Sequence, residues 1–213
     1  MPSPSELREE AMRTGLSLRQ AAAHPMQQFR AWFEQARAAG LYAPRAMSLA
    51  TVNALGHPTA RMVVLASFDE RGFDFTTDSR SPKADDLRRG AWAALVFHWA
   101  ELERQVRVEG AVEALPASEV EPYFQKRSRG SRLATWASRQ SEVIPGRGVL
   151  EERLLQLLTE HEGQPIDMPP YYAGYRVRPA MLEFWQARSD QLNDRVRYRL
   201  AEDGAWITEL LAP

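Results

Sequence analysis

Residues 46–115 constrain the fold more than any other part of this chain. Five segments there are extended in pattern: "AMSLATVN", "PTARMVVLASFD", "FDFTTD", "AWAALVFHWA" and "RQVRVEGAVEAL". The first two are joined by "ALGH" and the third follows "ERG", connections of hairpin length. In the fifth, Val106, Val108 and Val112 point one way and Arg107, Glu109 and Glu113 the other, the period of two of a half-buried strand. Extended segments this close in sequence pair as antiparallel neighbours, and closing the sheet on itself removes its open edges. An antiparallel barrel is the expected core.

Helical patterns flank it. In "PMQQFRAWFEQARAAG", Met26, Phe29, Trp32, Phe33 and Ala36 share a face and Gly40 supplies a stop. A helical region runs from "ASEVEPYFQKRS" through "SRLATWASRQS". In "VLEERLLQLLTEHEG", Leu150, Leu154, Leu157 and Leu158 are expected on one face. "MPPYYAG" reads as a loop. Three more extended segments follow, "YRVRP", "MLEFWQAR" and "RVRYRLAED", closed by "AWITELLAP". The order β, α, β predicts one α+β barrel domain over residues 25–213. Residues 1–24, polar and Ala-rich, are expected to form a partly mobile N-terminal segment.

With 213 residues, 44% of them hydrophobic and 26% charged, the chain can bury one core and has no disordered character. A net charge of −1 creates no field that would draw it to nucleic acid or an anionic membrane. The absence of cysteine excludes disulfides, thiolate metal sites and cysteine nucleophiles. "MPSPSELREE" lacks the apolar core of a signal peptide, and no apolar run has the length of a membrane span. These features read as a soluble, cytoplasmic protein.

The short motifs of phosphate loops, dinucleotide folds, serine hydrolases and zinc proteases are all missing. His24, His57, His98 and His161 are scattered without ligand spacing, so no metal site is expected. Basic residues carry the remaining signal. From Tyr123 to Ser141 the chain holds Lys126, Arg127, Arg129, Arg132 and Arg139 and no carboxylate. Such a run reads as a solvated face or subunit contact, as a phosphate subsite, or as a nucleic-acid stripe that the near-neutral total charge disfavours. Arg61 opens the apolar strand "RMVVLAS" and needs an anion, which a local Asp or Glu could equally supply. Lys83 stands at a helix start beside Ser79 and Ser81, a setting that receives anions. Three separate anion-ready places fit two phosphorylated ligands better than one.

With these residues in view, the chain resembles the pyridoxine (pyridoxamine) 5′-phosphate oxidase family from about Leu7 to Pro213. The matching stretches are "AMSLATVNALGHPTARMVVL", "FTTDSRSPKADDL", "LERQVRVEG", "YFQKRSRGS", "WASRQS", "EFWQ" and the terminal "LAP". The resemblance implies an FMN-binding split β-barrel, mostly antiparallel with flanking helices, that is homodimeric and holds FMN between subunits. It implies oxidation of a 4′-amine or 4′-alcohol to an aldehyde, with O2 reoxidising the flavin to give H2O2. Carried over by position, the FMN contacts are Arg61, Met62, Val63, Val64, Leu65, Thr76, Thr77, Lys83, Gln105, Gln140, Ser141, Trp185 and Arg195. The substrate contacts are Arg8, Ala66, Tyr123, Arg127, Ser131, Gln191 and Asn193. No protein nucleophile is needed, because the flavin carries the redox chemistry. The other readings of such a barrel are an oxidase of another reduced ring, as in phenazine biosynthesis, or a flavin or pyridoxal-phosphate binding module without turnover.

Five positions depart from the family pattern. Pro82 stands where many relatives have an arginine beside the lysine. The other four fall on the substrate side: Ala66 replaces a lysine, Ala11 a tyrosine, Gln191 an arginine and Asn193 a histidine. Gln191 and Asn193, two apart in a stretch expected to be extended, should share a face with Arg195. They can hydrogen-bond but carry no charge near neutrality, so weak turnover of the B6 phosphates is expected.

Overall fold

The five expected strands form β1 (Ala46–Val52), β2 (Pro58–Asp69), β3 (Gly72–Asp78), β4 (Trp92–Trp99) and β5 (Arg104–Ala114) in a computed structural model that describes residues 4–213. β6 (Tyr172–Gln186), β7 (Asp194–Leu200) and β8 (Trp206–Leu210) complete one sheet in the order β3-β2-β1-β4-β5-β6-β7-β8. β3 also pairs with β6, so six strands close into a barrel from which β7 and β8 extend. Every pairing is antiparallel.

The split lies in β6. "YRVRP" and "MLEFWQAR", expected as two segments, are one strand whose pairing changes midway. Residues 172–177 pair with β3, and residues 181–186 pair with β7. β5 runs alongside both halves, and its register shifts where Glu109 faces Met181 and Gly110 faces Pro179. Pro179, lacking an N–H, looks like a strand break in sequence, yet a bulge where the ladder changes partner tolerates it. Gly110 is the residue that lets the bulge close. A Cβ there would lie 2.0 Å from the Arg178 carbonyl oxygen, which is backbone and cannot swing away. Gly110→Ala should cost about 1–3 kcal/mol, as overpacking does, and lower Tm by several degrees. A melt unchanged from wild type would show that the bulge yields.

The barrel core is aromatic. α2 (Pro25–Ala38) lays Phe29 against Phe73, Phe68 and Phe97, with ring centroids at 4.8, 4.8 and 4.9 Å. Trp32 meets Phe184 edge-on at 5.3 Å. A second cluster gathers Val120 and Phe124 of α4 (Ala117–Gln125), Leu133 of α5 (Arg129–Ala137), Ile166 and Tyr172. α6 (Gly148–Glu160) covers it less completely than its pattern predicts. Leu154 and Leu157 pack against the cluster, but Leu158, one residue further round the helix, is 44% exposed.

The N-terminal segment contains α1 (Pro4–Thr14), and residues 1–3 lie outside the described residues. Ala11 and Leu16 are buried, and Leu16 belongs to the barrel core. Arg8 pairs with Glu103 at 2.8 Å, and the Leu16 N–H donates to Asp194 at 2.8 Å. Among the described residues no helix is long and apolar enough to cross a membrane.

Candidate functional site

Two adjoining clefts open where β2 and β3 meet the helices that follow them. The first, about 400 Å³, is lined by Met62, Val63 and Val64 of β2, Thr76, Thr77 and Asp78 of β3, Lys83, and residues in and just after α5 that include Gln140. Lys83 sits on α3 (Pro82–Gly90), which Pro82 in the first turn starts, while the N-cap Ser81 turns its hydroxyl back to the Asp78 carbonyl at 2.7 Å. The Lys83 ammonium donates to Gln140 Oε1 at 2.6 Å and to the Thr77 and Ser81 hydroxyls at 3.2 Å. All three acceptors are neutral. Asp78 is nearby, but Arg80 holds it with Nη2 at 2.6 Å and stacks over the Tyr171 ring at 3.3 Å. Burial pushes the Asp78 carboxyl up, but the hydrogen bonds from Arg80 outweigh this and hold it below its usual range. Burial, with Arg61 adding repulsion, lowers the Lys83 pKa. The cleft therefore presents a partly desolvated cation with hydroxyls and an amide around it, which suits a phosphate dianion.

Arg61 supports this corner from behind. Its guanidinium donates to the Thr51 and Thr59 hydroxyls at 2.7 Å each and lies 3.8 Å from Asp86. Asp86 is the local carboxylate that sequence alone leaves as one of Arg61's two possible partners. Arg61 does not line either cleft.

The second cleft, about 360 Å³, shares Val64, Thr76, Arg127 and Tyr172 with the first. Arg45, Leu65, Ala66, Tyr123 and Lys126 complete it, and no carboxylate lines it. The Tyr123 hydroxyl bonds Ser67 at 2.6 Å and donates to Asp74 at 3.1 Å. Asp74 is itself clamped by buried Arg176 at 2.8 and 3.0 Å, so the tyrosine is fixed by a network rather than free to turn. Arg127 donates weakly to Tyr172 OH at 3.4 Å and to the Ser131 carbonyl at 3.3 Å, and its buried Nε has no partner among the described residues. A buried guanidinium N–H without an acceptor costs free energy until an anion meets it. Ser131 lies outside both cleft linings, its hydroxyl accepting from Ser128 at 2.9 Å.

The remaining expected site residues lie elsewhere on the chain. Gln105, Trp185 and Arg195 face one another across β5, β6 and β7 in a single row. Arg195 donates to buried Glu183 at 2.8 Å and to the Ala212 carbonyl at 2.9 Å, which ties the C-terminus to β7. Ser141 is exposed with φ of 71°. Gln191 and Asn193 do not lie in an extended stretch, contrary to expectation. Gln191 is exposed with φ of 65°, and the Arg188 N–H donates to Asn193 Oδ1 at 3.0 Å, closing a turn before β7 begins at Asp194. Asp190, accepting the Leu192 N–H at 3.0 Å, makes that turn locally stable. Sequence reading also misses Arg45 and Tyr172, because neither belongs to a charged run or to a stretch that carries the family pattern.

Comparison with known proteins gives this geometry its context. Residues 33–159 match the family model described as pyridoxamine 5′-phosphate oxidase. Residues 172–213 match the pyridoxine 5′-phosphate oxidase C-terminal dimerisation region. A pyridoxine/pyridoxamine 5′-phosphate oxidase of Acaryochloris marina is 50% identical over 211 residues, covering 99% of this chain and 96% of that protein. Among solved structures, PhzG of Burkholderia lata, in complex with tetrahydrophenazine-1-carboxylic acid, has a TM-score of 0.85 at 32% identity, covering 90% of this chain and 94% of PhzG. An FMN-binding protein of Nostoc punctiforme, related to pyridoxamine 5′-phosphate oxidase, shares the fold at a TM-score of 0.73 and 22% identity, covering 90% of this chain and all of that one. On the family matches and on identity along nearly its whole length, this chain belongs to the pyridoxamine 5′-phosphate oxidase family.

Proposed function

We propose that the protein is an FMN-dependent oxidase that converts pyridoxine 5′-phosphate, or pyridoxamine 5′-phosphate with uptake of water and release of ammonia, to pyridoxal 5′-phosphate, with O2 taking two electrons and two protons to become H2O2. The observation that carries this reading is the pair of adjoining clefts, each with a cation that makes no ion pair among the described residues: Lys83 in the first, and Arg127, which lines both, in the second. Two phosphate-ready subsites sharing a wall of Val64 and Thr76 fit a flavin phosphate and a substrate phosphate.

The donor set of the first cleft fits FMN. Lys83, Thr77 and Gln140 would hold its phosphate, with Arg61 adding charge from behind. Bound FMN supplies the two-electron acceptor that no side chain of this chain provides. In the second cleft Arg127 binds the substrate phosphate, beside a Tyr123 whose hydroxyl proton Asp74 holds, and so fixes which carbon of the ring faces the first cleft. That orientation converts an encounter into an intramolecular geometry.

The functional unit in this reading is a homodimer. Met62 and Val64 are 66% and 64% exposed although they line the first cleft, an apolar strand face that a second subunit would cover. The Gln105–Trp185–Arg195 row, which lines neither cleft of its own chain, would complete the flavin site of the partner. Dimerisation and flavin binding would then stabilise each other.

Oxygen uptake with pyridoxamine 5′-phosphate, run beside the flavin absorption spectrum, tests the reading. Flavin-loaded protein that consumes no O2 with either B6 phosphate would overturn it. The neutral pair Gln191 and Asn193 favours one second reading, oxidation of a different reduced ring of the kind PhzG binds. O2 uptake with a reduced phenazine carboxylate and none with the B6 phosphates would select it.

A further inference from the structure

Arg45 precedes β1, in a segment fixed on both sides. The buried Trp99 indole donates to the Pro44 carbonyl at 3.0 Å, and the Arg45 carbonyl accepts the Leu65 N–H at 2.9 Å. Its guanidinium then turns over the β2 bulge between Leu65 and Ser67. Nε donates to the Leu65 carbonyl at 2.7 Å and Nη2 to the Ala66 carbonyl. In a regular strand consecutive carbonyls point to opposite edges, so one guanidinium could not reach both; the bulge turns them to the same side.

Both acceptors are neutral, so this anchoring fixes the position of the charge without cancelling it. Among the described residues no ion pair involves Arg45, Lys126 or Arg127, yet all three line the second cleft. Three cations gathered around one cleft repel one another unless an anion sits among them. The Nη1 end of the Arg45 fork has no bond to the protein among the described residues and presents two N–H groups.

We infer that Arg45 is a specificity-determining residue of the second cleft, supplying from the β1 end the phosphate-binding cation that position 66, an alanine, lacks. A phosphate monoester would lie between the Arg45 and Arg127 forks, and the carbonyl anchors of Arg45 hold its fork in place before the ligand arrives. The naming of the monoester as a B6 phosphate rests on the oxidase reading; the cation site itself does not.

Four flavin-loaded proteins test this: wild type, Arg45→Ala, Arg45→Lys, and Arg45→Ala combined with Ala66→Lys. The measurements are KM and kcat for pyridoxamine 5′-phosphate and for unphosphorylated pyridoxamine, and calorimetric titration with pyridoxal 5′-phosphate and with inorganic phosphate. Arg45→Ala should raise KM and weaken both phosphate ligands about tenfold to a hundredfold, the loss of one charge-assisted contact, with kcat within about twofold. Pyridoxamine kinetics should not move. Arg45→Lys should fall between, keeping the charge but losing the fixed fork. Ala66→Lys should restore most of what Arg45→Ala loses, because it returns a cation to the same corner from another residue. A merely structural role at the β1–β2 end would not be rescued this way, and would affect phosphorylated and unphosphorylated substrates alike; that pattern would overturn the inference. Unchanged phosphate binding in Arg45→Ala, or no phosphate binding by wild type, would also overturn it. Should wild type fail to oxidise either B6 phosphate while Arg45→Ala still weakens inorganic phosphate, the oxidase reading falls and the Arg45 site stands. Turnover by wild type with an unaltered KM in Arg45→Ala removes the Arg45 site and leaves the oxidase reading standing.

Discussion

Protein carrying Arg61→Ala and Lys83→Ala together is expected to purify colourless, with its dimer weakened and its flavin recoverable only at high added FMN. The two cations differ in how they act. Lys83 faces the first cleft and gives hydrogen bonds only to neutral groups, so its charge is open to a phosphate. Arg61 is already shared among two threonines and Asp86, so it contributes mainly through its field. Lys83→Ala alone should therefore weaken FMN by about 1.5–3 kcal/mol, the worth of a charge-assisted bond, and Arg61→Ala by less. Arg61→Ala also leaves Asp86 with only the threonine hydroxyl bonds, so its stability must be followed separately by melting. The ratio of flavin to protein absorbance, and fluorescence titration with added FMN, measure the loss. A double variant that stays fully yellow would remove these residues from the flavin site. A pH series adds a second check. Burial and Arg61 lower the Lys83 pKa in the flavin-free protein, and the negative charge of a bound phosphate would raise it again. Affinity is then full below the lowered value and declines as pH rises through it, starting before an ordinary lysine would titrate. Lys83→Ala should flatten that decline.

The parts of this molecule that are legible in sequence are those governed by local periodicity. β1 to β5 announce themselves by alternation and short turns, and each appears where its pattern places it. α2 is equally plain, because its aromatic stripe has one place to go. β6 is not legible as one strand, since Pro179 reads as a terminator and only the change of partner from β3 to β7 makes it tolerable. The turn at residues 188–193 escapes sequence reading for a similar reason. Asn193 closes it with a side-chain oxygen, a contact set by three-dimensional proximity that alternation cannot reveal. The clefts show the same division. Lys83, Thr77, Tyr123 and Arg127 stand out through the family pattern, and the structure brings them to two adjoining clefts. Arg45 belongs to no run of charge and no motif. It enters the second cleft only because a bulge that begins at Leu65, 20 residues further along the chain, turns two carbonyls toward it.

Replacing Gln191 by Arg and Asn193 by His together is expected to raise kcat/KM for pyridoxamine 5′-phosphate by about two orders of magnitude. Each exchange adds one charge-assisted contact worth about 1.5–3 kcal/mol, roughly tenfold to a hundredfold. The sum can fall short of additive because both act on one ligand. The turn should survive both changes. A neutral histidine ring nitrogen can accept the Arg188 N–H that Asn193 Oδ1 now accepts, a bond given up when the ring is protonated, and arginine at 191 meets the same positive φ that glutamine already adopts. Since Gln191 and Asn193 line neither cleft of their own chain, the gain requires the partner subunit to bring them to the substrate. It should therefore disappear under conditions that dissociate the dimer. The histidine adds a signature that arginine does not: the gain should vary between about pH 5 and 8, where imidazole titrates. Adding Ala66→Lys to the pair should do little, because Arg45 already places a cation at that corner and a second would repel it. Two outcomes would sink this expectation. A wild type as fast as the double variant would mean that Arg45 and Arg127 capture the substrate without charge at positions 191 and 193. A fully flavin-loaded double variant with no gain would mean that the turn serves another ring, and that its two neutral amides belong to that specificity.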